Sequence, residues 1–180
     1  MEQLVRLLKV VLERTEWAEL QTSGGSAASV PNRLLTLVQC CDEEQAKRAY
    51  WTLDNSVVVQ GRVFEAGAAL LTVIFVALSA PVVSVSARRW LVELLTEIAL
   101  AVGHEDEASP AAVERMVREL IESNMPLVYG LLVDGDERVR RAGLEIVSRI
   151  ERNDPRLPVT MSAMSEDPDE KVQKIVNRHV

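Results

Sequence analysis

The sequence predicts an all-α fold, a stack of antiparallel helix pairs with about nine or ten helices, on three observations. Helix starts recur at Pro31, Asp42, Ser109 and Asp136, and no sustained alternation of apolar and polar residues marks out a sheet. Apolar residues make up 48% of the chain but aromatics only 4%, and Leu, Val, Ala, Glu and Arg dominate, a balance that favours helices packed through aliphatic ridges. The third observation is the passage from Gly61 to Val102, where VFEAGAALLTVIFVALSA is followed by Pro81 and then by RRWLVELLTEIALAV. Proline cannot continue a helix and biases its predecessor out of the α region, so these are two antiparallel helices joined by Ser79 to Ser86. They form the central unit of the stack.

A membrane span is the rival reading of that passage, because no charge falls between Glu65 and Arg88. Glu65, Pro81 and the serines at 79, 84 and 86 count against it. The dense part, Ala66 to Leu78, would rise only about 20 Å against a hydrocarbon core of about 30 Å. A helix that is apolar on nearly every side is then one covered by neighbours on both flanks.

A length of 180 residues suits one domain over 1–180. Glu2 to Leu20 places Leu4, Leu8, Val11 and Leu12 on one face and reads as a capping helix within 1–21; the stretch 22–30, containing TSGGSAAS, reads as a linker. Pro31 suits the first turn of a short helix through LLTLVQCC, and Asp42 caps a second through EEQAKRAYWTL. Gly103 to Ser109 is an acidic loop, after which Ser109 and Pro110 give a cap and a first-turn proline for AAVERMVRELIES. Asn124 to Pro126 ends that helix and opens LVYGLLV.

The last third repeats itself. Asp134, Asp136, Glu137, Arg138 and Val139 correspond to Asp167, Asp169, Glu170, Lys171 and Val172, each 33 positions on. Arg89, Glu93, Leu94 and Ile98 align with Arg141, Glu145, Ile146 and Ile150 at a constant offset of 52, and Arg48 and Ala49 align with Arg141 and Ala142 at 93. The pattern D-x-D-E-x-V-R-R at Asp134 to Arg141, with aliphatic residues through Ile150, resembles the second helix of HEAT repeats, and DPDEKV at Asp167 to Val172 looks like another copy. The passage YWTLDNSVVVQGRVFEAGAALL is similar to a bacterial group of short HEAT-like proteins. The resemblance implies a short right-handed α-solenoid, with Asp134 and Arg140 bonding within and between repeats. Gln173 departs from that pattern in the copy at Asp167.

The function classes narrow by exclusion. A net charge of −7 argues against nucleic acid as a partner, since phosphate neutralisation needs a basic surface. No nucleophile elbow, phosphate loop, dinucleotide fingerprint or zinc signature is present, so neither catalysis nor a cofactor or metal is expected. His104 lies in the acidic loop beside Glu105, Asp106 and Glu107, and consecutive loop residues rarely converge on one ion. The only cysteines, Cys40 and Cys41, are adjacent and read as packing residues. Charges at Glu2, Arg6, Lys9, Glu13 and Arg14 break up the apolar core a signal peptide needs, so a cytoplasmic location is expected.

What remains is a non-enzymatic interaction module that binds another protein, a basic one by charge, on its concave face. An immunity or antitoxin-type inhibitor of a basic toxin is the specific version. The alternatives are a HEAT-like helical enzyme or DNA-lesion binder, and a protein anchored to a membrane by residues 63–87. The repeat alignment puts Arg48, Arg89, Arg141 and Lys174 on one row, with Thr52, Glu93 and Glu145 four residues on from the first three. These residues and Trp51 are the expected partner-binding face, with arginine hydrogen bonds flanking an aromatic anchor.

Overall fold

A computed structural model describes residues 1–103 and 109–179. Across them the protein is all-α, with ten helices and two hairpins of two-residue strands. The expected acidic loop, with His104, falls largely on residues 104–108, outside the described residues.

The amphipathic N-terminus forms α1 (Glu2–Leu12), burying Leu4, Leu8 and Leu12. It stops well before Leu20, the end read from the sequence. The reason is Trp17, whose buried indole folds back and donates its N–H to the Leu12 carbonyl at 2.8 Å, occupying one of the acceptors left free at a helix end. The stretch expected as a linker is a hairpin in which β1 (Gln21–Thr22) pairs with β2 (Gly25–Ser26). Ser23 ties it down: its N–H donates to the Ser56 carbonyl at 2.9 Å and its hydroxyl to the Asn55 carbonyl at 2.8 Å.

Next come α2 (Val30–Gln39), with Pro31 in its first turn, and α3 (Glu43–Val57), where Asp42 accepts from the Gln45 N–H at 3.0 Å. The valine run beyond α3 is β3 (Val58–Val59), paired with β4 (Arg62–Val63) across Gln60 and Gly61. Those two residues have φ of 52° and 79°, both positive as a type I′ turn requires.

The central pair is α4 (Glu65–Leu78) and α5 (Val85–Leu100), and Ser84 caps α5 by accepting from the Ala87 N–H at 3.1 Å. Leu70, Leu71, Ile74, Phe75 and Leu78 are buried with Leu91, Leu94, Leu95 and Ile98. Phe64 is only half-buried, with the Arg62 guanidinium 5.2 Å from its ring centre. Among the described residues, no helix is long and apolar enough to cross a membrane.

In α6 (Ala111–Ser123) the expected cap is absent. Ser109 is buried, and its hydroxyl accepts from the Val63 N–H at 2.9 Å, which fastens β4 to the start of α6. The chain closes with α7 (Met125–Leu131), α8 (Glu137–Ile150), α9 (Leu157–Ala163) and α10 (Glu170–Val176). Asp136 and Asp169 cap α8 and α10. The sequence reading lacked α9, which is seven residues long and too short to show a period. Helices α3, α5, α8 and α10 pack side by side in that order, while α1 and α6 pack against α4.

Candidate interaction surface

The N-terminal ends of the packed row carry a ladder of arginine and aspartate. Arg88 on α5 donates to Asp134, in the loop before α8, at 2.9 Å. One step along, Arg140 on α8 donates to both oxygens of Asp167, in the loop before α10, at 2.8 and 3.1 Å. Each aspartate also holds its own loop, Asp134 by accepting from the Asp136 N–H and Asp167 from the Asp169 N–H. Arg140 reaches back to the Asp134 carbonyl at 2.9 Å, and Gln173, in the equivalent place, reaches the Asp167 carbonyl at 2.8 Å. An amide thus makes the same backbone bond as the guanidinium it replaces.

Arg89 belongs to a second cluster. It bonds Asp136 and stands 3.7 Å from Glu43, which also accepts from Arg138 and from the Trp90 indole at 3.0 Å each. Helices α3, α5 and α8 are cross-linked there, so the Arg89 guanidinium already has two carboxylates.

Farther down the row the character changes. Glu93 and Glu97 follow Arg89 at successive turns of α5; Tyr50 and Asp54 flank them from α3 and Glu145 from α8. The carboxylates at 54, 93, 97 and 145 form no ion pair among the described residues. Burial raises Asp54, against the hydrogen bond from Tyr50 and with Glu93 adding to it, and burial raises Glu97, with Asp54 and then Glu93 adding to it. Burial also raises Glu145, against the pull of Arg141 and Arg178. The Tyr50 phenol is raised by burial first, then by Asp54, Glu97 and Glu93. At neutral pH this is a band of partly desolvated negative charge.

Trp51 stands at its edge, 46% exposed and edge-on to Tyr50 at 5.1 Å. Tyr50 in turn packs on Trp90 at 4.8 Å, so an aromatic line runs from the surface to the interior.

The residues expected to form one row therefore separate. Glu93, Glu145 and Arg141 share the band. Arg89 lies in the cross-link above it. Arg48 and Thr52 lie on the α2 flank of α3: the Thr52 carbonyl accepts from Arg33 of α2 at 2.8 Å, and Arg48 pulls on the Cys40 thiol. Lys174 is exposed on α10. Asp54, Glu97 and Tyr50 are the members that the sequence reading missed. Glu93 and Glu97, four apart in the mostly apolar stretch from Trp90 to Leu100 of α5, were the available signal. Among the described residues no group of His, Cys, Asp and Glu is placed to hold a metal ion. Compared with family models, curated proteins and solved structures, the chain matches none.

Proposed function

We propose that the protein is a non-enzymatic interaction module, a short right-handed HEAT-like solenoid that binds a basic partner protein through the band on α3, α5 and α8. One observation carries the binding: the half-buried carboxylates at 54, 93, 97 and 145 form no ion pair among the described residues, with Arg141 and Arg178 acting on Glu145 alone from a distance, and they sit beside an exposed tryptophan. Partly desolvated like charges are unfavourable alone and become favourable against cations, which is how charge complementarity selects a partner. Trp51 supplies the aromatic anchor. The solenoid reading draws on the arginine-aspartate ladder, which repeats from α5 and α8 to α8 and α10.

The specific reading is a cytoplasmic immunity or antitoxin-type protein that masks the cationic surface of a toxin. The contact is made by carboxylates, with Arg89 in a supporting place. The test is calorimetric binding to a basic partner recovered from native lysate. Combining Glu93→Gln with Glu97→Gln should weaken binding tenfold or more and steepen no salt dependence, whereas Arg48→Gln should leave it within twofold. Binding untouched by the double change sinks the reading.

A further inference from the structure

Opposite the ladder, at the C-terminal ends of α5 and α8, lies a cleft of about 400 Å³. Its rim carries Arg118 from α6 and Arg149 and Arg152 from the end of α8. Of the described residues lining it, Asp154 is the one carboxylate, and it is engaged elsewhere. Both of its oxygens accept from Arg156, at 2.9 and 2.7 Å, which holds its carboxyl well below the usual range.

The arginines are tethered but not used up. Arg149 donates through Nη2 to the Leu100 carbonyl at 2.6 Å, and Arg118 donates to the Ile150 carbonyl at 3.3 Å and stands 3.8 Å from Glu122. Each guanidinium has five N–H donors, so capping a helix end leaves most of them open. The Arg149 Nε is buried and has no partner, and Arg152 makes no hydrogen bond or ion pair among the described residues. The helix dipoles oppose an anion here, but each carbonyl end already meets one guanidinium. On a chain of net charge −7, this is a local concentration of donors that the described residues do not consume.

We propose that this cleft binds a small oxyanion of the phosphate class, a phosphate or pyrophosphate group. Its oxygens take the open guanidinium donors of Arg118, Arg149 and Arg152, the side chains whose planar forks recognise phosphate. Asn153, also on the rim, adds an amide donor.

The experiment is isothermal titration of inorganic pyrophosphate, and separately of inorganic phosphate, into the full chain at fixed ionic strength. Saturable binding with one site per chain is expected, and a tighter constant for pyrophosphate assigns the site to a diphosphate. Arg152→Gln, which removes no hydrogen bond or ion pair among the described residues, should weaken it at least tenfold with unchanged melting temperature, and Arg118→Gln should weaken it as much. Arg6→Gln, an exposed arginine of α1 outside the cleft, should have no effect. No saturable binding of either anion by low millimolar concentration overturns the proposal. So does an equal loss in Arg6→Gln, which would make the effect one of overall charge.

Discussion

Arg140 grips Asp167 through two parallel hydrogen bonds, at 2.8 and 3.1 Å, with side-chain exposures of 13% and 5%. The pair ties the loop before α10 to α8. Asp167→Ala removes both hydrogen bonds to Arg140 and the one to the Asp169 N–H, while the Asp134 carbonyl still holds the guanidinium, and losing such charge-assisted bonds costs roughly 1 to 3 kcal/mol. Urea denaturation followed by circular dichroism should show that loss; a change below about 0.5 kcal/mol would place the pair outside the cooperative fold.

The same pair has a pH signature. The Arg140 hydrogen bonds lower the Asp167 carboxyl in the folded protein, below its unfolded value of about 3.9. Its contribution is present above that value and is lost as pH falls through the folded one. Asp167→Asn should flatten the fall in stability below about pH 4, measured by melting temperature against pH.

The acidic band works with the opposite sign. The carboxyls of Asp54, Glu97 and Glu145 are raised in the folded protein, chiefly by burial, so ionising them at neutral pH opposes folding. That opposition is relieved as pH falls through the folded values toward the unfolded values of about 4. Glu97→Gln should therefore stabilise the free protein by up to about 0.5 kcal/mol at neutral pH while weakening binding of the proposed basic partner. A variant that lost both stability and binding would mean Glu97 serves the fold.

Leu94 of α5 is completely buried, and Leu94→Ala should cost about 2 to 5 kcal/mol, read by the same urea titration. A loss under about 0.5 kcal/mol would mean that α5 packs through another face.

Gly143 reverses the usual expectation for a helical glycine. Alanine in its place ordinarily stabilises by about 1 kcal/mol. A Cβ here would stand 2.9 Å from the Leu131 Cβ and 3.3 Å from the Leu132 Cδ2, so α7 and α8 would have to move apart. Gly143→Ala should destabilise by about 1 to 3 kcal/mol, and a rise in melting temperature would contradict the close approach of the two helices.

Features set by bonds that close within a few residues were legible in the sequence. Asp42 caps α3 through the Gln45 N–H, and Asp136 caps α8 through the Arg138 N–H, contacts three and two positions apart. Pro81, with no helix to continue, separates α4 from α5, and the apolar density around it marks the center of the core. The correspondence of Asp134 with Asp167 was likewise visible, because each copy needs the same loop before the same helix.

Residues whose partners lie far along the chain were decided by the tertiary structure alone. Ser109 has a strong cap's sequence context, yet its hydroxyl serves Val63, 46 positions away, because burial beside β4 brings that N–H within reach. Trp17 ended α1 early for a similar reason: a large ring gains more by burial than by continuing an exposed helix. The band shows the limit most clearly. Sequence alignment matched Arg48 to Arg141, but packing against α2 turned that face of α3 aside and set Tyr50 and Asp54 beside Glu93. Spacing along one helix determines which residues share a face; which face meets a neighbour depends on how the whole core fills its volume, and no local pattern contains that.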